Sequence, residues 1–203
     1  MQRLVLTSLA LAAALAASGA SAQSFSLTLG YQNTDPKSDN GQLAGADATV
    51  NDDWSLTGSA AYAFNDNWSV ELWSGLAKFE HEVSLAGLGT VASVEHRPTT
   101  LSVNYHFAPD STVRPFIGLG YGWVNVSGER TLGALSGLGI DGSNANGIAF
   151  GAGLDWFVSD NVFIRADVRR LSFETDVTVE TLGNVGTAEV DPLVYGISAG
   201  FRF

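Results

Sequence analysis

Residues 190–203 read V-D-P-L-V-Y-G-I-S-A-G-F-R-F, and this stretch constrains the chain more than any other. Leu193, Tyr195, Ile197, Ala199, Phe201 and Phe203 share one parity, while Val194, Gly196, Ser198, Gly200 and Arg202 share the other. Successive side chains of a β-strand point to opposite faces, so a period of two is the mark of a strand. One face is apolar and aromatic and the other is small or charged. An aromatic residue in last place gains little in water, but it can sit in the interfacial girdle of a membrane barrel. The stretch is therefore expected to be the closing strand of an outer-membrane β-barrel.

The opposite end of the chain has another pattern. Met1-Gln2-Arg3 is a short basic region, residues 4–17 are apolar, and Ala20-Ser21-Ala22 matches a small-residue cleavage site. An apolar run of that length is short for a bilayer span, so residues 1–22 are expected to be a removed signal peptide rather than an anchor, with Gln23 opening the mature chain. The mature chain, residues 23–203, is long enough for one domain. The chain has no cysteine, which excludes a lipoprotein junction, a disulfide, a thiolate metal site and a cysteine nucleophile. Its formal net charge is −11, which argues against a nucleic-acid partner. Apolar residues make up 45% of the chain, yet past the leader they alternate with polar ones and build no spanning helix.

Eight alternating segments can be read along the chain: 24–34, 54–64, 68 to about 79, 97–107, 113–126, 147–158, 162 to about 175, and the final one. Short connections at 65–67, 108–112 and 159–161 alternate with long ones at about 35–53, 80–96, 127–146 and 176–189. Short periplasmic turns and long outer loops are the barrel pattern, and an even strand count puts both termini on the periplasmic side. Tyr62, Phe64, Trp68, Tyr105, Phe107, Trp156, Phe201 and Phe203 fall near the short turns or the terminus, and Tyr31, Trp54 and Trp123 near the long loops. A soluble lipocalin-like barrel is the competing reading. It would turn this aromatic parity inward and leave Glu71, Arg165, Asp167 and Arg169 in water.

Four ordered stretches carry a family resemblance: Val70-Glu71-Leu72 after a turn; H-R-P-T-T-L from His96 to Leu101; R-P-F-I-G-L-G-Y from Arg114 to Tyr121; and the D-P-x-V…S-A-G-F-R-F ending from Asp191 to Phe203. Together they resemble the OmpW family of outer-membrane proteins; Thr99 stands where the family's H-x-P-P-T-L has its second proline. The resemblance implies an eight-stranded antiparallel transmembrane barrel and a role in moving small hydrophobic molecules across the outer membrane.

If the apolar parity faces lipid, the other parity lines the lumen. Its charged members are Glu71, Arg114, Asp155, Arg165, Asp167, Arg169 and Arg202, joined by His106. At the rise of a tilted strand, Glu71, Asp155 and Arg165 lie roughly 9 Å above the periplasmic turns, with His106, Arg114 and Arg202 lower. Buried charges need partners, so a polar network is expected to floor the barrel, either as a structural plug or as an ion pathway. Above it the lining is small: Thr28, Gly30, Thr57, Ser59, Gly75, Gly118, Gly120, Gly151 and Gly153 leave room. Trp73 and Arg169 point into this level as candidates for a constriction. The family resemblance implies a hydrophobic constriction, which Trp73 fits and Arg169 does not. A guanidinium stacked on the indole would make a gate; plain packing of Trp73 is the alternative.

The expected loops carry apolar residues: Leu85, Leu88, Val91 and Val94; Leu132, Leu135, Leu138 and Ile140; Leu182 and Val185. These either pack as a funnel for apolar solutes or extend the strands. Asp35, Asp39, Asp47, Asp52 and Asp53 make the first loop acidic. It is either solvated or bridged by divalent cations to lipopolysaccharide, and its spacing is not that of an EF-hand.

The leading functional expectation is a non-enzymatic barrel that binds or passes small hydrophobic molecules. Its partners are outer-membrane lipid, lipopolysaccharide and those molecules, with no cofactor, no metal and no oligomeric state specified. A barrel this small has no wide aqueous pore. Lateral exit would need a gap in strand pairing near the glycines or near Pro98, Pro115 or Pro192, since proline cannot donate to the ladder. The alternative is a structural or interaction barrel serving envelope stability, adhesion or phage attachment. An enzyme would need a nucleophile, base and orienting group in hydrogen-bond reach; the three histidines, with His81 and His96 in an expected loop, suggest no such motif.

Overall fold

The structure is a computed structural model that describes residues 24–36, 40–43, 45–137, 139–179, 183–189 and 191–203. The expected leader and Gln23, together with Asp39, Leu138 and Leu182, lie outside the described residues, as does the side chain of Val185. In chain order the strands are β1 (Ser24–Asp35), β2 (Gln42–Leu43), β3 (Ala46–Val50), β4 (Asp53–Ala63), β5 (Trp68–Gly75), β6 (Phe79–Leu85), β7 (Gly89–His106), β8 (Val113–Thr131), β9 (Ile140–Gly142), β10 (Ala145–Phe157), β11 (Val162–Ser172), β12 (Glu174–Val179), β13 (Gly183–Glu189) and β14 (Leu193–Arg202).

Eight of these close on themselves in the order β1-β4-β5-β7-β8-β10-β11-β14, every neighbour antiparallel. Closure is complete at the seam: β1 pairs with both β4 and β14, and the Phe203 amide donates to the Phe25 carbonyl at 2.8 Å. The three short turns share a device in which a side-chain oxygen accepts amides that the bend leaves unpaired. Asn65 Oδ1 accepts from the Asn67 and Trp68 amides at 3.0 and 2.9 Å, and Ser111 Oγ and Ser159 Oγ accept from Val113 and Val162.

Burial is inverted relative to a soluble protein. Ile197 and Ile148 are more than 60% exposed, while Glu71 is fully buried. The apolar parity therefore faces out and the charged parity faces in, which removes the lipocalin-like alternative, since no water-soluble surface carries so continuous an apolar band. Aromatic contacts mark both rims. Tyr31 stacks on Trp54, which meets Tyr195, at the outer rim. Trp68, Tyr105 and Phe107 join Phe25, Phe201 and Phe203 at the other.

Three expected boundaries need correction. The third segment stops at Gly75 rather than running to Phe79, because the residues it would meet on β7 include Pro98. The β5–β7 ladder ends at Ser74 opposite Thr99 and resumes only as Phe79 opposite His96 in β6. The Leu76 and Ala77 amides turn instead to the Leu56 carbonyl. The expected 80–96 loop is a hairpin of β6 with the upper part of β7, so β7 starts at Gly89 rather than at residue 97. The seventh segment ends at Ser172; after Phe173 the chain begins β12, which pairs with β13 and with β9 from the loop after β8. The outer connections are thus largely paired strands standing above the barrel, with β2 and β3 capping β6.

Candidate functional site

The inner faces of β1, β5, β10 and β11 bring the lumen charges together. Asp155 and Arg165 are cross-strand partners, so the guanidinium reaches the carboxylate with two nitrogens, Nε to Oδ1 at 2.6 Å and an Nη to Oδ2 at 2.8 Å. A further Arg165 nitrogen donates to Glu71 Oε2. Arg169 donates to Glu71 Oε1 at 2.6 Å and to Asp167 Oδ2 at 2.9 Å. Gln32 extends the chain of bonds, donating to Asp167 at 2.8 Å and accepting from the Trp73 indole at 3.0 Å. Three carboxylates face two guanidinium groups here, all buried, and the bidentate geometry offsets part of the large desolvation cost.

Ring contacts fill the remaining directions. The Arg165 guanidinium carbon lies 4.6 Å from the Phe116 ring centre, and that of Arg169 lies 5.0 Å from Trp73. Below, Arg114 and Arg202 flank the Phe157 ring at 4.0 and 4.8 Å, and the His106 ring meets Ser69 Oγ at 3.1 Å. A vestibule of about 80 Å³ opens at this end. Above, Trp73, Val124, Ala145, Ala149, Leu171, Phe173 and Val194 form one apolar plug. The glycines expected to leave room are filled by their neighbours: a Cβ on Gly153 would come 2.7 Å from Phe116 Cζ, and one on Gly118 2.1 Å from Asn104 Oδ1. A void of only about 10 Å³ remains there, beside Thr100 and Ser102.

Over the plug lies a second space. A cavity of about 110 Å³ is lined by Leu43, Ala48, Val83, Val94, Val124, Val126 and Phe173, with His81 and His96 in its wall. A satellite cluster of Leu43, Ala48, Leu85 and Val91, with Leu135 against it, packs beside it. The His96 ring lies nearly parallel to those of Phe79 and His81, with ring centres 5.5 and 4.7 Å away. His81 Nδ1 bonds the Asn51 carbonyl at 2.6 Å, and its Nε2 meets His96 Nε2 at 2.7 Å. Burial holds the His81 imidazole below its usual pKa, against the opposing pull of the Asn51 carbonyl and of Asp53 and Asp52.

The model of the OmpW family matches residues 23–203. The chain belongs to the OmpW family. It is 36% identical over 169 residues to the outer membrane protein AlkL of Ectopseudomonas oleovorans, covering 80% of this chain and 72% of AlkL. It is 30% identical over 176 residues to PahQ of Pseudomonas aeruginosa, a dibenzothiophene metabolism operon protein, covering 81% and 79%. The crystal structure of OprG, an outer membrane protein of Pseudomonas aeruginosa, superposes with a TM-score of 0.78 at 28% identity, covering 91% of this chain and 98% of OprG. The fold is thus that of Gram-negative outer-membrane barrels, and this is where the protein resides.

In this OmpW barrel Glu71, Asp155, Arg165, Asp167, Arg169 and Trp73 form one connected network rather than a floor with a separate constriction above it. His106, Arg114 and Arg202 stand apart at the periplasmic rim. Pro115 and Pro192 open no gap: their carbonyls accept the Phe107 and Leu171 amides. In the acidic loop, Asp47, Asp52 and Asp53 accept from Gln42, Asn33 and the Glu80 amide. Sequence reading missed Gln32, Phe79 and the His81–His96 pair, and placed both histidines in a loop. The signal was present, since His81 and Val83 continue an inward alternation begun at Phe79, but the glutamates between them mask it.

Proposed function

We propose that this OmpW barrel captures small hydrophobic molecules in its outer chamber and releases them sideways into the membrane, without catalysing a reaction. The supporting observation is one coincidence of place. The chamber ends on a filled lumen, and directly beneath its His96 wall the ladder between β5 and β7 breaks over residues 76–78 and Pro98. Phe79 and Pro98 both converge on Gly75 at that break, 3.4 and 3.7 Å from where a Cβ would stand. An apolar solute stopped by buried charges below has a short path outward there. The metabolic setting that PahQ's name records, around an apolar aromatic compound, agrees with the solute class. A structural barrel has less to support it, because side chains fill the lumen only as far as the plug that ends on Val124 and Phe173 and leave a cavity of about 110 Å³ beyond it. An enzyme has less still: Ser69 and His106 are in contact, but among the described residues no carboxylate hydrogen-bonds His106 to orient it.

The test is tryptophan fluorescence of the refolded barrel titrated with a brominated medium-chain alkane derivative. Trp73 packs with Val124 and Phe173 of the chamber wall, so saturable quenching is expected in the wild type and should vanish in Trp73→Phe. Unsaturable quenching, equal in both proteins, would leave only partitioning into detergent and sink the reading. In proteoliposomes, Pro98→Ala restores a backbone donor at the break, and delivery of the probe to lipid should slow severalfold while its binding to the chamber is kept.

A further inference from the structure

Most of the described cations meet a carboxylate: Arg165 and Arg169 two each, Lys78, Arg130 and Arg170 one each. At the periplasmic rim the pattern changes. Arg114 Nε donates to the Ser111 carbonyl at 3.0 Å and an Arg202 Nη to the Asp160 carbonyl at 3.2 Å. Among the described residues, neither guanidinium has a carboxylate within ion-pair distance. Both lie against one ring, that of Phe157, with their carbons 4.0 and 4.8 Å from its centre. Two like charges are thereby held side by side and half-buried, which is unfavourable until an anion joins them. The carbonyl bonds also leave several N–H donors of each fork over.

Arg114, Phe157 and Arg202 wall both the vestibule and a more open recess of about 290 Å³ at the turns. Ser111, Thr112 and Ser159 border that recess. Ser111 Oγ and Ser159 Oγ each accept an amide, so their own hydrogens are left to donate. Asp110 and Asp160 border it too, but both are exposed on the turns, where water and salt screen them. We propose that this recess binds a phosphate group, held between the Arg114 and Arg202 forks with the turn hydroxyls adding donors. A carboxylate is satisfied by one planar fork, whereas a tetrahedral dianion has oxygens for two and a charge that matches both. The phosphate is either free in the periplasm or the headgroup of a lipid in the adjoining leaflet, since Phe201 and Phe203 put this rim at interfacial depth. The site lies at the opposite end of the lumen from the outer chamber and does not depend on what that chamber captures.

The refolded barrel in dodecyl maltoside, a phosphate-free detergent, is titrated with inorganic phosphate at constant ionic strength, with chloride as the control. The readout is the side-chain ¹⁵N resonances of Arg114 and Arg202 together with the affinity. Phosphate is expected to move both resonances saturably, with a dissociation constant of about a millimolar, and chloride to leave them in place. Arg114→Gln and Arg202→Gln should each weaken binding about tenfold. Arg202→Lys keeps the charge without the fork and should fall between. Asp160→Asn removes a competing carboxylate while keeping the carbonyl that Arg202 uses, and should tighten binding. A second titration adds dihexanoylphosphatidylglycerol below its micelle-forming concentration to the phosphate-loaded barrel. Displacement of phosphate by less lipid than phosphate assigns the site to a headgroup, and no displacement assigns it to free phosphate. An equal response to chloride, no saturable shift with either phosphate source, or an affinity unchanged in both glutamine variants overturns the proposal.

Discussion

Glu71 is the residue on which the lumen depends. It accepts from Arg165, from Arg169 and, at 3.3 Å, from Ser59, and it is the carboxylate that joins the Arg165–Asp155 and Arg169–Asp167 pairs. Glu71→Ala leaves Arg165 with Asp155 and Arg169 with Asp167 but removes one buried acceptor from each cation, so a loss of about 1–3 kcal/mol is expected in urea unfolding of the refolded barrel. Glu71→Gln keeps one acceptor oxygen and should lose less. An unfolding midpoint unchanged in Glu71→Ala would mean that Asp155 and Asp167 alone satisfy both cations. At this scale the sequence was informative about direction and silent about partners. Parity alone put Glu71, Asp155, Arg165, Asp167 and Arg169 inside. That Arg169 on β11 would reach back across the lumen to Glu71 on β5 depends on register and tilt, which no local pattern carries.

At the scale of elements, the β6–β7 hairpin departs furthest from expectation. The alternation rule rests on one face meeting lipid, and above the membrane both faces can be polar, so Glu80, Glu82, Ser84 and Ser93 hid a paired hairpin within an expected loop. The eight crossing strands were legible because lipid enforces the pattern; their outer extensions were not, because it does not. The hairpin also carries a pH dependence. The folded pKa of His81 lies below the ordinary imidazole value of 6.5, so between that value and the lower folded one the unfolded chain binds more protons than the folded one. The stability this neutral imidazole contributes is therefore complete above about pH 6.5 and is lost as pH falls through the folded value. Measured relative to the intrinsic rate at each pH, amide exchange of β6 and the top of β7 is expected to quicken on acidification below that point, before exchange in β10 or β11 does. Uniform acceleration across the barrel, or none in the hairpin, would count against the assignment.

For the molecule as a whole, the filled lumen and the open chamber lead to different measurements. Among the described residues, Trp73 and the ion-pair network separate the vestibule from the chamber, so current through the barrel in a planar bilayer should lie far below that of a water-filled porin. A large, steady conductance would mean that the plug opens. The leader is a second property of the whole chain. We propose that residues 1–22 are removed on export, a reading supported by the family match beginning at residue 23. Sequencing the N-terminus of protein purified from outer membranes should then give Gln23-Ser24-Phe25, and an intact Met1 would refute it.

The buried charges below Trp73 also bear on how many copies a cell can tolerate. An open channel ties benefit to hazard, because each added pore admits nutrients and water-soluble poisons together. A barrel sealed at its base breaks that tie. Each added copy opens no further aqueous path through the envelope to hydrophilic molecules.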